Sequence, residues 1–306
     1  MTLPSSSEAV VAEVLRREHR GAVALRALGA SGFCATWRAE AGAARWFVKS
    51  APAASADLLA AEADGLAALA TTATVRVPAV GGPWRSDDGT LDVLAIEWLD
   101  FALADAGFGE RLGDALAALH CSPCPMRPPR YGWRRDNRIG ATVQTNQPTA
   151  AATTADWIDF FARQRLGAMR ARLPRTARLQ PLHAAVAAAI DALPGLFDDG
   201  HAPHPGLIHG DLWSGNWGML ADGTPVVFDP AVSCSDAEAE LAMMELFGVP
   251  PAGFWDAYRQ RAGLHGGYAR RRPAYQLYHL LNHVVLFDGG YVAAAIACAQ
   301  AVARGA

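Results

Sequence analysis

Apolar residues recur at helical spacing over residues 8–18, with Ser7 placed to cap the segment. The pattern then changes to short β-prone runs. Phe33-Cys34-Ala35-Thr36-Trp37 and Trp46-Phe47-Val48-Lys49, parted by the turn-like Ala41-Gly42-Ala43, predict a hairpin. Helical spacing returns over 57–72, and Asp92-Val93-Leu94-Ala95-Ile96-Glu97-Trp98, apolar at its centre, reads as a buried strand. Together these predict a small α+β lobe of about 100 residues.

Beyond Trp98 the pattern is mainly helical, with candidate helices at 109–120, 154–172, 179–193, 253–261 and 273–287. Two short β-like pieces interrupt it, 207–209 and 225–229, joined through a turn at 221–224 and expected to pair as a hairpin with a polar residue at each mouth. Segments 126–137 and 142–153 are rich in Pro, Arg, Asn and Thr and read as long loops of the kind that often carry function. Segment 200–205 is loop-like as well, and no internal repeat is present. The division expected is an N-terminal lobe at 1–98 and a larger, mainly helical lobe at 99–306.

With 51% hydrophobic and 19% charged residues among 306, the chain has the composition of an ordinary folded protein, so its Ala-rich stretches read as helix. The net charge of −3 and a longest basic run of only Arg270-Arg271-Arg272 speak against a nucleic-acid surface and for a small-molecule substrate. Residues 1–7 lack a basic stretch leading into an apolar one, and no apolar run reaches the roughly 18–20 residues of a membrane span. The expected location is the cytoplasm, with no membrane partner. The five cysteines (Cys34, Cys121, Cys124, Cys234, Cys298) are odd in number and scattered, which predicts free thiols. Cys121-Ser122-Pro123-Cys124 has metal-like spacing, but no second pair of Cys or His ligands matches it.

The chemistry concentrates in His209-Gly210-Asp211-Leu212-Trp213-Ser214-Gly215-Asn216. An Asp and an Asn separated by four residues, with Asp229 thirteen positions after the Asn, have the layout of a kinase catalytic loop. Phosphoryl transfer needs a carboxylate to orient the attacking hydroxyl and take its proton, which suits Asp211. It also needs oxygen ligands for Mg²⁺, which suits Asn216 and Asp229. A lysine for the phosphates should then lie on a strand of the first lobe with a carboxylate on the next helix. Lys49, the sole lysine, ends the run Trp46-Phe47-Val48, and Glu62 falls in the 57–72 helix. Gly29-Ala30-Ser31-Gly32 stands between the first two strands, where backbone N–H groups could cover phosphates, with Gly29, Ser31 and Gly32 as the candidate contacts. It matches neither G-x-G-x-x-G nor the Walker pattern, which disfavours a P-loop ATPase. Glu97, Trp98 and Leu99 end the strand leading into the second lobe and would hold adenine through their backbone groups.

These residues resemble the fructosamine kinases (ketosamine-3-kinases), a branch of the aminoglycoside-phosphotransferase and protein-kinase-like superfamily. The closest match is HGDLWSGNWG at 209–218. Others are Phe228-Asp229-Pro230-Ala231, Glu238-x-Glu240-Leu241-Ala242-Met243, Tyr131-Gly132-Trp133 with Asn137-x-Ile139-Gly140, Phe160-Phe161-Ala162-x-Gln164-Arg165-Leu166, and Tyr275 to His283. Trp213 and Ser214 set the loop apart from those of aminoglycoside and choline kinases. The glycine loop departs from the family, Ala30-Ser31-Gly32-Phe33 replacing the usual Gly-Gly and polar pair. The resemblance implies a two-lobed protein-kinase-like α+β fold, with a small β-rich N-lobe, and ATP-dependent phosphorylation of the C3 hydroxyl of a ketosamine, after which the product breaks down and frees the amine. It further implies Asp211 as base, Trp213 and His283 at the sugar site, and Asn216 and Asp229 on magnesium. Alternatives are an aminoglycoside-, choline- or methylthioribose-type kinase, or a non-catalytic nucleotide-binding pseudokinase; the intact Lys49, Glu62, Asp211, Asn216 and Asp229 argue against the last. A monomer or weak homodimer is expected.

Overall fold

The structure, a computed structural model, describes residues 5–31 and 34–305. It opens with helix α1 (Ser5–His19), which starts two residues before the expected cap at Ser7. Strands β1 (Ala24–Ser31), β2 (Cys34–Ala41), β3 (Ala44–Pro52), β4 (Val80–Arg85) and β5 (Leu91–Glu97) form one antiparallel sheet in the order β1-β2-β3-β5-β4. The predicted hairpin is the β2–β3 pair, and it turns at Gly42, whose φ of 59° suits a residue without a Cβ. Helix α2 (Ala56–Ala70) follows β3.

The period-2 geometry of a strand divides β3 between two cores. Val48 faces outward with Trp37, Ala39, Val93 and Ala95, where Val11, Val14 and Leu15 of α1 cover them. Ser50, on the same face, accepts the Trp37 indole N–H at 2.9 Å. Lys49 therefore points the other way, toward α2, whose Leu59, Leu66 and Leu69 join the larger core with Leu94 and Ile96.

The rest of the chain is mainly helical. Strand β6 (Phe101–Ala102) leads to α3 (Phe108–Cys121), then to the short strands β7 (Arg130–Tyr131), β8 (Asn137–Ile139), β9 (Thr142–Gln144) and β10 (Thr149–Ala150). Next come α4 (Thr154–Phe160), a wider π-helical stretch at Phe161–Gly167, α5 (Ala168–Arg172) and α6 (Gln180–Ala192). The single helix expected at 154–172 is thus helical throughout with a π segment inside it. A capping box between Thr153 and Asp156 starts it.

Strands β11 (Gly206–Ile208), β12 (Trp217–Leu220), β13 (Pro225–Val227) and β14 (Ser233–Ser235) carry the motif region. Here the hairpin expectation is corrected. Strand β11 pairs with β14, and β13 pairs with β12, which was not foreseen. The turn at 221–224 closes the β12–β13 hairpin, while the 209–216 loop emerges from β11 and enters β12. Helices α7 (Ala237–Leu246), α8 (Phe254–Ala262), α9 (Tyr268–Phe287) and α10 (Val292–Ala303) complete the fold. Helix α7 escaped the sequence pattern because Glu238 and Glu240 occupy buried positions on it, and α10 because its Ala-rich run has little polar contrast. Helix α9 begins five residues before Pro273 and runs through it. Among the described residues, no helix is long and apolar enough to cross a membrane. The Cys121-x-x-Cys124 spacing pairs nothing locally. Cys121 is exposed, and Cys124 lies buried against Cys234 of β14.

Candidate active site

Lys49, Glu62 and Asp229 meet in one cluster. The Lys49 ammonium donates to Glu62 Oε1 at 2.8 Å and to Asp229 Oδ1 at 2.7 Å. Glu62 reaches it because it lies one helical turn from Leu58 and from Leu66 on α2. Gly65 lets α2 close on the Asp229 segment, since a Cβ there would stand 3.0 Å from Pro230 Cγ. Burial lowers the Lys49 pKa, but Glu62 and Asp229 outweigh that and hold it well above the usual lysine range. Burial, together with the neighbouring Asp229 carboxylate, raises the Glu62 carboxyl against the opposing effect of Lys49. For Asp229 the opposing effect of Lys49 wins over burial, and this carboxylate stays ionised. Asp229 is one of three non-glycine described residues with positive φ, at 58°, a local strain of about 1–3 kcal/mol that points its carboxylate back toward Lys49.

The loop from His209 to Asn216 is held by groups that leave Asp211 uncommitted. The buried His209 ring donates from Nε2 to the Phe228 carbonyl at 2.8 Å, which makes Nδ1 the acceptor for the Asp211 N–H at 3.3 Å. Burial lowers the His209 pKa, so the ring is a neutral brace. Gly210 has φ 84°, and its N–H donates to Glu240 Oε2 at 2.6 Å. Glu240 also meets His120 Nε2 at 2.9 Å, and His120 Nδ1 meets the Tyr258 hydroxyl at 2.8 Å. Burial pushes the Glu240 carboxyl up, but His120 and the Gly210 N–H outweigh it, so it remains an anion. Glu240, which entered the sequence reading only as part of the family match, is therefore the anchor of the 209–216 loop, a role that no spacing rule signals.

A Cβ at Gly210 would fall 2.1 Å from the Ala231 carbonyl oxygen. Gly210→Ala should accordingly lose at least about 1–2 kcal/mol of stability from the left-handed backbone alone, and most of its activity. Thermal melting alongside an activity assay checks both.

Asp211 sits half-buried at the centre. Burial, reinforced by the Asp229 and Glu240 carboxylates, pushes its carboxyl up to about 7. Asn216 donates its Nδ2 to the Asp211 carbonyl at 2.7 Å, which turns its carboxamide oxygen the other way. Both belong to a cavity of about 650 Å³ between the sheet and the helical part, which Lys49, Glu62, Trp213, Asp229 and His283 also line. Trp213 is 41% exposed and its ring covers Gly215, where a Cβ would lie 2.4 Å from it. His283 of α9 donates from Nδ1 to the His279 carbonyl at 2.8 Å, leaving Nε2 as an acceptor. Phe247, Phe287 and Tyr291 surround its ring at centroid distances of 4.4, 5.5 and 4.8 Å, an aromatic wall that the sequence did not announce.

Seven expected site residues thus share one cavity, and among the described candidates Gly29, Glu97, Trp98 and Leu99 are not part of its lining. Gly29 lies in β1 beside a register shift against β2, and its carbonyl accepts the Thr36 hydroxyl at 3.1 Å. Ser31 ends β1, and Gly32 lies outside the described residues. Glu97 binds Arg76 through both carboxylate oxygens at 2.5 Å, Trp98 donates its N–H to the Arg45 carbonyl at 3.2 Å, and Leu99 follows the end of β5. The loops at 126–153 brace the Asp229 segment. Asn137 donates to the Val232 carbonyl and Gln144 to the Ala231 carbonyl, while Trp133 donates to Asp64 on α2.

The sequence profile of the fructosamine kinases matches residues 10–304. The chain belongs to the fructosamine kinase family. Within the family's relatives, it is 41% identical over 250 residues to a probable ketoamine kinase of Synechocystis, covering 82% of this chain and 80% of that protein. It is 33% identical over 258 residues to a chloroplastic protein-ribulosamine 3-kinase of Oryza sativa, covering 83% of this chain and 71% of the relative. The crystal structure of a candidate fructosamine-3-kinase from Thermobifida fusca superposes with a TM-score of 0.79 at 33% identity, covering 96% of this chain and 98% of that one. A fructosamine kinase fold therefore runs the length of the chain, and the HGDLWSGN loop that carried the resemblance lies at its cavity.

Proposed function

We propose that this protein is an ATP-dependent kinase that phosphorylates the C3 hydroxyl of a ketosamine, a fructosamine or ribulosamine, and so supports deglycation of amines or proteins. The observation that carries the proposal is Asp211, a desolvated carboxylate with no side-chain partner among the described residues, placed in one cavity with the Lys49 cluster and the Trp213 and His283 wall. The ketoamine kinase and protein-ribulosamine 3-kinase relatives support the substrate class.

In this reading the acceptor hydroxyl lies against Asp211. Its oxygen attacks the γ-phosphorus, the bond to the β-phosphate oxygen breaks, and the proton passes to the Asp211 carboxylate. Lys49 presents its ammonium to the phosphates while Glu62 keeps it oriented. Asn216 and Asp229 offer hard oxygen donors, the set that magnesium takes. Magnesium would supply charge neutralisation on the phosphates. Trp213 gives the sugar an apolar face. Burial draws the His283 pKa down, so a neutral ring offers its Nε2 lone pair to a sugar hydroxyl. Asn282 Oδ1 and His279 Nδ1, buried without partners on residues of the same wall, are further polar atoms that a polyhydroxyl ligand would satisfy. A monomeric or weakly dimeric cytoplasmic enzyme is part of the same proposal.

Incubating the protein with ATP, magnesium and a synthetic ribulosamine or fructosamine should yield a 3-phosphate visible by phosphorus NMR. Chelation with EDTA should abolish it. Trp213→Ala should raise the acceptor KM by about tenfold with a smaller change in ATP KM, the loss of one aromatic contact worth about 1 kcal/mol or more. Turnover of aminoglycosides or choline in place of every ketosamine would overturn the substrate class.

A further inference from the structure

We propose that Arg138 is an anion-binding residue for the amine-borne part of the acceptor, so that preferred substrates are ketosamines whose amine carries a carboxylate. The inference rests on the kinase reading above and narrows its substrate.

Strand β8 sets the side chain's direction. Asn137 and Ile139 are buried on one face, Asn137 donating to the Val232 carbonyl, so the intervening Arg138 falls on the opposite face, half-buried on the wall of the Asp211 cavity. The strand is held where it is by Asn282 of α9, which donates to the Ile139 carbonyl at 3.3 Å, one residue before His283. The guanidinium donates from Nη1 to the Ala141 carbonyl at 3.2 Å, which orients it and leaves further N–H groups for a ligand.

Its charge has no ion-pair partner among the described residues. Among the described residues, no carboxylate lies within ion-pair distance of Arg138, whereas the neighbouring Arg134 and Arg135 meet Asp64 and Asp57 at 2.6 and 3.4 Å. The other cation lining the cavity, Lys49, is shared between two carboxylates. A ketosamine carries its amine on C1, two carbons from the C3 hydroxyl, so the amine substituent extends from the reacting end at Asp211 toward the cavity wall. A guanidinium fork there matches a carboxylate in geometry as well as charge. An aminoglycoside, a polycation, would be repelled.

The test compares two ribulosamines, one made from an amino acid and one from the corresponding decarboxylated amine, with wild type, Arg138→Met and Arg138→Lys. Wild type should favour the carboxylated acceptor in kcat/KM by on the order of tenfold, carried by KM. Arg138→Met should bring that ratio toward one, and Arg138→Lys should keep part of it. An equal ratio in wild type and Arg138→Met would overturn the inference. So would a rise in ATP KM of the same size with both acceptors, which would assign Arg138 to the nucleotide phosphates. Thermal melting of each variant separates these outcomes from misfolding. Calorimetric binding of the two acceptors reads the same ratio without turnover, so failure of phosphorylation on both would count against the kinase reading while this measurement still decides for or against Arg138.

Discussion

An Asp211→Asn variant is expected to lose about 10²- to 10⁴-fold in kcat, the usual cost of a missing general base, with ATP affinity changed far less. Asparagine keeps the size and the loop, because the loop is held through the Gly210 N–H, the His209 ring and the Asn216 carboxamide and not through the Asp211 carboxylate. What it removes is the proton acceptor. The raised carboxyl of about 7 gives the reaction a pH signature. Only the ionised form accepts a proton, so wild-type kcat/KM should level off above that pH and fall about tenfold per unit below it. Stability should move the opposite way. A carboxyl whose folded pKa is raised holds its proton more tightly than the unfolded chain does, so stability is lost as pH climbs from the unfolded value through about 7. Asp211→Asn should therefore melt at a higher temperature than wild type at pH 8, with the difference shrinking near pH 4. Full activity of the variant would remove Asp211 from the chemistry, and a collapsed melting temperature would mean that the carboxylate is a structural element.

Lys49→Met is expected to lower kcat/KM by about 10²- to 10³-fold, the scale seen when one charge-stabilising donor is removed from a phosphoryl or oxyanion site. The same change removes the ammonium that Glu62 and Asp229 share. Two carboxylates would then converge on an apolar side chain, and the desolvated partner left unpaired costs about 1–3 kcal/mol. Glu62 can escape by holding a proton, since burial already raises its carboxyl. The melting temperature of Lys49→Met should thus fall more at alkaline than at mildly acidic pH. Glu62→Gln is the milder counterpart, leaving a hydrogen-bond acceptor for Lys49 without the second charge. A Lys49→Met protein with wild-type ATP KM and kcat would place the nucleotide elsewhere.

Local elements were readable where chemistry is local. The period of apolar residues located α2, α3, α6 and α8 to within a residue or two, and the Gly42 turn located the β2–β3 hairpin, because helix face and turn geometry depend on neighbours in the chain. Where a residue's environment comes from distant segments, the pattern misled. Strand 225–227 has apolar character that any antiparallel partner could satisfy, so nothing local distinguishes β12 from β11 as its mate. Glu238 and Glu240 interrupt the apolar face of α7 since Arg271, His120 and the Gly210 N–H lie opposite them, and only the fold brings those groups there.

By itself the sequence pointed to the reaction class and to the candidate residues that would carry it. A carboxylate, a carboxamide and a second carboxylate at the spacing of a catalytic loop, with one lysine on a strand and one glutamate on the following helix, point to phosphoryl transfer, because residue identity at fixed separation is a chemical property of the chain. Tertiary structure alone decided how those groups are tuned and what they face. The raised Asp211 carboxyl, the double contact of Lys49, the Glu240 anchor and the unpaired Arg138 all arise from segments tens to nearly two hundred residues apart that fold into contact. Burial and Coulomb interaction depend on distance in space, which separation along the chain does not contain.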